Sequence, residues 1–237
     1  MNIRKKILTR CGALLTAVLV LAPTALAAEA EIPYIPQTVP AAQLAPTDQR
    51  GQEEWQLLLV NPWHTVPEGY EIKLATLSNG LQVDERIYDD LDDMLSDCRE
   101  AGLNPIVCSA YRTEATQTRL YRNKVARVRA SGVPEDRVEA EAARWVAKPG
   151  TSEHQTGLAL DIVAAGYQIL DEEQEDTAEQ KWLMENSWKY GFILRYPSEK
   201  SDITGIGYEP WHYRYVGKAA AADIYRTGVC LEEYLSQ

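Results

Sequence analysis

An α+β fold with a central, largely antiparallel sheet flanked by helices is what this sequence predicts, on three observations. Helix-period apolar stretches and short strand-like runs are both present; they do not alternate in βαβ order; and no repeat or low-complexity tract interrupts them between residues 51 and 237. A stretch of that length fits one domain.

Taken in order, Ile87, Leu91, Met94, Leu95 and Cys98 line one face of a helix that Gly102 is placed to end. The run 105–108 reads as a strand, and the polar turn Ser109-Ala-Tyr-Arg-Thr113 leads into a helix bearing Leu120, Tyr121, Val125 and Val128. A helix follows Pro134, carrying Val138, Ala142, Trp145 and Val146, with Gly150 as its stop. Residues 157–163 read as a short strand. Thr177-Ala-Glu-Gln180 is a capping-box pattern that opens a helix running to Gly191. Residues 192–196 and 211–216 read as strands, and 218–227 as a closing helix.

Ahead of this domain, Arg4, Lys5, Lys6 and Arg10 precede an uncharged apolar run from Cys11 to Ala28 that closes with Ala25-Leu26-Ala27. That pattern predicts an export signal over residues 1–27, cleaved after Ala27, with an uncleaved membrane anchor as the alternative. Either way the rest of the chain is expected outside the cytoplasm, with membrane contact only through this segment. Residues 28–50 hold Pro33, Pro36, Pro40 and Pro46 without periodicity and read as a linker.

The chain has 24 basic and 35 acidic residues, and residues 1–27 carry four of the basic ones and no acidic one. The remainder of the chain is therefore strongly acidic. Such a surface lacks the basic stripe that neutralises phosphates, so nucleic acid is excluded as a partner on charge. With Cys11 in the export segment, Cys98, Cys108 and Cys230 remain, in no metal-binding spacing, and Cys108 is expected to be a buried small side chain. A monomer is expected.

Chemistry concentrates around two of the three histidines. His154 lies in Ser152-Glu-His-Gln-Thr-Gly-Leu-Ala-Leu-Asp161. A regular strand would put His154 and Asp161 on opposite faces, but a turn at Thr156-Gly157 lets them converge. Asp161 stands in an apolar run, and a buried lone carboxylate costs several kcal/mol, so a metal or a cation is expected beside it. In Glu209-Pro-Trp-His212 a second carboxylate precedes a histidine by three residues. Two histidines and one carboxylate with an open position suit a catalytic zinc, which lowers the pKa of water to about 7, while another carboxylate can take the proton. On spacing alone, a core or surface histidine and a turn aspartate remain open readings.

S-E-H-Q-T-G-L-A-L-D and E-P-W-H resemble the S-x-H-x-x-G-x-A-x-D and E-x-W-H signatures of the VanY-like D-alanyl-D-alanine carboxypeptidases, within the zinc D-Ala-D-Ala peptidase and lysostaphin-like group. The resemblance extends to Ser109-Ala-Tyr-Arg-Thr113, Tyr190-Gly-Phe-Ile-Leu-Arg-Tyr-Pro197 and Tyr213-Arg-Tyr-Val-Gly217. It implies a hedgehog-like fold with the zinc site on the sheet and one zinc ion held by His154, Asp161 and His212. It further implies Glu209 as general base and Arg112 contacting substrate and supporting the oxyanion, with Gln117 and Ser152 helping to hold a terminal D-alanine. The implied substrate is a cell-wall stem peptide ending in D-Ala. A D,D-dipeptidase or L,D-peptidase of the same group is the near alternative, and a non-catalytic zinc-stabilised binding domain the distant one.

The remaining polar residues have structural expectations. Trp211 is expected to wedge His212 in place, with lining the pocket as the alternative. Arg195 and Arg214 should pair with buried carboxylates, His64 should be structural, and Glu153, as a strand neighbour of His154, should face solvent.

Overall fold

The computed structural model describes residues 54–236. The expected export segment, 1–27, and the expected linker, 28–50, lie outside the described residues. A short hairpin of β1 (Leu74–Thr76) and β2 (Gln82–Asp84) opens the fold. Its tip carries Asn79-Gly80, with Gly80 at φ 86°, a turn dipeptide that the apolar periodicity does not reveal.

Helix α1 (Tyr88–Glu100) buries Leu91, Met94, Leu95 and Cys98 on one face, and Gly102 follows it at φ 84°, as the sequence requires. Strand β3 (Pro105–Ser109) leads to α2 (Glu114–Ala130), whose first turn is capped by the Thr113 side chain. Helix α3 (Glu135–Ala143) is shorter than expected: it ends at Ala143, so Trp145 and Val146 leave the helix and Gly150 lies well beyond its stop. Strand β4 (Ala159–Ala164) and α4 (Ala178–Asn186) follow. Thr177 caps α4 through the Gln180 backbone N–H, but the Gln180 side chain does not complete the box. It donates to the Ile162 carbonyl and accepts from the Tyr213 hydroxyl instead, tying α4 to the sheet. Strand β5 (Phe192–Leu194), the one-turn α5 (Ser201–Thr204), β6 (His212–Tyr215), α6 (Lys218–Thr227) and α7 (Leu231–Leu235) complete the chain.

The main sheet has the order β3-β4-β6-β5 and is antiparallel throughout. Alternation along its two central strands separates two environments. Leu158, Leu160, Ile162, Tyr213 and Tyr215 join Leu91, Met94 and Leu183 in the main core, under α1 and α4. Their sequence neighbours Asp161, His212 and Arg214 therefore point to the opposite face, and all three are buried there. A second core of Trp188, Ile193, Val216, Ala220, Ala221, Ile224 and Leu231 seats α6 and α7, and a third joins α2 to α3 through Val128, Val138 and Ala142.

Gly157 is the hinge between the two halves of the His154 motif. It ends a 3-10 turn over Glu153–Thr156 at φ 72°, and a side chain there would collide with the Ile72 side chain and meet the Asp84 backbone nitrogen at 2.9 Å. We expect Gly157→Ala to cost about 1–3 kcal/mol from backbone strain alone, and more from the collision. Thermal melting of the variant checks this, and a wild-type midpoint would refute it.

Two local expectations fail. Glu153 does not face solvent: it sits in the 3-10 turn rather than on a strand, and it is fully buried. Cys108 is exposed rather than buried, beside a register shift between Val107 and Ser109 that breaks the strand's alternation. Cys98, Cys108 and Cys230 are all free. Arg195 and Arg214 meet buried carboxylate as expected, and His64 pairs its Nδ1 with Asn61 Oδ1 at 2.9 Å in a bridged loop. No helix among the described residues is long and apolar enough to cross a membrane.

Candidate metal centre and cleft

Each candidate side chain is delivered by a simple backbone device. Asp161 on β4 stands directly opposite His212 on β6, so both project from the same face of the sheet. The Glu209–His212 segment is a reverse turn around Pro210 and Trp211, closed by the His212 N–H donating to the Glu209 carbonyl at 3.1 Å. That turn sets Glu209 Oε2 3.6 Å from His212 Nδ1. The 3-10 turn before Gly157 swings His154 over the same point. The Arg112 N–H donates to the His154 carbonyl at 3.0 Å, which ties the Arg112 turn to the His154 motif.

His154, Asp161 and His212 thus bring one ligand atom each to within 4.8 Å of one another, and all three are buried. His154 Nε2 lies 3.3 Å and His212 Nδ1 3.1 Å from Asp161 Oδ1. His154 Nδ1 faces the Ala110 carbonyl at 2.8 Å, so it must carry the ring proton, which leaves Nε2 bare in the neutral ring. A bare imidazole nitrogen aimed at a carboxylate oxygen is repulsive unless a cation lies between them. Two imidazoles and one carboxylate oxygen are a zinc donor set, and the arrangement fits the ion.

The electrostatics agree. Burial, followed by the Arg112 charge, lowers the His154 pKa to about 4 against the pull of Asp161, so the ring is neutral at pH 7, as a ligand must be. Burial would raise Asp161, but His154 and Arg112 overcome it and hold the carboxylate well below its ordinary range. For His212 burial acts downward, and the neighbouring Asp161, Glu153 and Glu209 carboxylates outweigh it, raising the pKa to about 9. A dication in the site would displace that proton, because like charges cannot share the space. Burial pushes Glu209 up to about 8, with His212 opposing it. A dication held by its neighbours pulls it back down, toward the range useful to a general base.

The group lines a cleft of about 790 Å³. Every residue singled out from the sequence for this site reaches it: Arg112, Gln117, Ser152, His154, Asp161, Glu209 and His212 all line the cleft, and so does Trp211. Arg112 uses Nε and Nη2 on Ser109 Oγ, at 3.0 and 2.8 Å, and Nη2 also on Asp161 Oδ2 at 2.7 Å. The Gln117 amide nitrogen donates to the Ala147 carbonyl at 2.7 Å, while its buried Oε1 has no partner. Sequence reasoning missed Tyr196, whose ring lies 4.7 Å from that of His212, and Lys124, on the α2 wall. Tyr196 lies near the end of the Tyr190–Pro197 run and could have been found there; Lys124 carries no motif.

This fold, with a His–Asp–His group beside a buried glutamate in an open cleft, defines a zinc metallopeptidase. A family model described as VanY, D-alanyl-D-alanine carboxypeptidase, matches residues 80–218. A D-alanyl-D-alanine carboxypeptidase of Enterococcus faecalis is 48% identical over 189 residues, 80% of this chain and 69% of that protein. Two solved structures are each 48% identical. The vancomycin-resistance D,D-pentapeptidase VanY of a VanB-type cassette, in complex with Zn(II), has a TM-score of 0.71 and covers 77% of this chain and 99% of that one. VanYB in complex with D-alanine-D-alanine has a TM-score of 0.72, covering 78% and 99%. The chain belongs to the VanY family of zinc-dependent D-alanyl-D-alanine carboxypeptidases.

Proposed function

We propose that this chain removes the C-terminal D-alanine from cell-wall stem peptides, with His154, Asp161 and His212 holding its one zinc ion. The observation that carries the residue assignment is the convergence of those three donors within 4.8 Å at a cleft that also holds the buried Glu209. The substrate rests on the family and on the D-alanine-D-alanine bound by a relative.

Zinc held by these residues would supply Lewis-acid polarisation of the scissile carbonyl and would lower the pKa of the attacking water. Glu209 takes the proton from that water on a carboxylate oxygen and hands it to the nitrogen of the departing D-alanine. Arg112, clamped to Ser109 and Asp161, presents a fixed positive charge to the oxyanion that develops on the carbonyl oxygen. Gln117 Oε1, buried and unpartnered, accepts a substrate N–H, and Ser152, which lines the same cleft, helps to seat the terminal residue. Export through residues 1–27, and tethering by residues 28–50, would put this activity where its substrate is.

The test is D-alanine release from three substrates: a pentapeptide ending in D-Ala-D-Ala, the tetrapeptide left after one cleavage, and free D-Ala-D-Ala. Preference for the pentapeptide is expected. A preference for the dipeptide would make the chain a D,D-dipeptidase, and for the tetrapeptide an L,D-carboxypeptidase. Zinc binding with no turnover on any of the three would leave a binding domain.

A further inference from the structure

Beside His212, the charged side chains of Glu153, Arg195 and Arg214 are buried together, with the partly buried Glu232 next to them, and none of them takes part in the chemistry above. Glu153 Oε1 accepts from Arg195 Nε and from Arg214 Nη1, both at 2.8 Å, and all three side chains are wholly inaccessible to solvent. Arg195 also grips Glu232 of α7 through Nη1 and Nη2, at 2.9 and 2.7 Å, and Asn61 steadies the same carboxylate at 3.0 Å. Arg214 donates from Nε to the Tyr215 carbonyl and from Nη2 to the carbonyls of Gln56 and Leu58. Glu153 is therefore fixed by two arginines, and the fixing uses only one of its oxygens.

The other oxygen, Oε2, is buried without a hydrogen-bond partner, and so is His212 Nε2. These two atoms face each other at 3.5 Å, within reach of a hydrogen bond after a small side-chain shift. His212 Nδ1, on the other side of the ring, points at Asp161 Oδ1 and Glu209 Oε2. An imidazole that offers Nδ1 to a metal must carry its proton on Nε2, and a buried N–H needs an acceptor. We propose that Glu153 is a positioning residue for the metal site: its Oε2 accepts the His212 Nε2 proton, holding His212 in the tautomer and orientation that present Nδ1 to zinc. The two arginines keep Glu153 in place, so that the C-terminal helix, through Glu232 and Arg195, becomes part of the support of the metal centre. Carboxylate partners of this kind raise a ligand's basicity and stop its ring from rotating.

The inference rests on the ligand assignment above, and its test reads metal binding and ring protonation rather than peptide cleavage, so the two can fail separately. The chain has three histidines, so the imidazole nitrogens of the zinc-loaded protein give a simple ¹⁵N spectrum, assigned with the help of a His64→Gln variant. His154 should carry its proton on Nδ1 and His212 on Nε2. A His212 proton on Nδ1 overturns the proposal, whatever the variants do. In Glu153→Gln, zinc affinity measured by competition with a chelator should fall roughly 10- to 100-fold, while KM for the pentapeptide holds at saturating zinc. Should that variant fail to fold with two arginines facing a single carboxylate, Glu153→Gln combined with Arg214→Met restores the charge balance and should show the same loss of affinity. A folded variant that keeps wild-type zinc affinity would also sink the idea.

Discussion

Glu209→Gln is expected to keep its zinc and lose about 10²- to 10⁴-fold in kcat, at little cost in stability. The side chain is buried beside His212, and its 3.6 Å approach to His212 Nδ1 is the one ion-pair contact it makes among the described residues. Glutamine fills the same volume and can still accept a hydrogen bond, but it cannot take a proton from water. The loss should therefore fall on turnover, with zinc stoichiometry and melting temperature close to wild type. In the wild-type enzyme the base must be ionised, so kcat/KM should fall as pH drops through the pKa of Glu209. Burial raises that pKa toward about 8, and a neighbouring dication lowers it again. The residual activity of the variant should lack this acid limb. Wild-type turnover in Glu209→Gln would remove Glu209 from the mechanism.

The second large effect concerns the metal itself. Asp161→Asn should lose both zinc and activity, because asparagine withdraws the one negative charge to which His154, His212 and Arg112 are all turned. In the wild-type protein, free zinc at a hundred times its dissociation constant should stabilise the fold by about 2.7 kcal/mol. For a domain of this size that corresponds to a rise of roughly 5–10 °C in melting temperature, reversed by a chelator. The variant should melt at the same temperature with or without zinc. If the wild-type midpoint ignores zinc and the chelated protein still releases D-alanine, the His154, Asp161 and His212 assignment is wrong.

Much of the site was legible because its residues travel in short motifs. A carboxylate stranded in an apolar run needs a cation, and a turn-forming glycine between His154 and Asp161 lets both converge; neither inference requires a fold. The reverse turn in Glu209-Pro-Trp-His212 is likewise local, since a four-residue turn containing a proline suffices to bring Glu209 beside His212. The antiparallel sheet and the face of α1 grow from the same short-range periodicity. Where expectation and structure part, the deciding contact is distant in sequence. Helix α3 gives up Trp145 and Val146 to the lining of the cleft, although their spacing would continue the helix. Gln180 abandons its capping role for partners on β4 and β6.

Glu153 shows the division most clearly. Local chemistry along the chain was enough to mark the two histidine neighbourhoods, the turn at Gly157 and the strands that carry Asp161 and His212, because each depends on near neighbours, while the ligand and base roles came from the family resemblance. It took the assembled fold to place Glu153 inside, since what makes its burial tolerable is a pair of guanidiniums 42 and 61 residues away, brought in by β6 and the residue that follows β5. A charge is buried only where opposite charge and hydrogen bonds offset its desolvation, and no local pattern records where those partners will arrive.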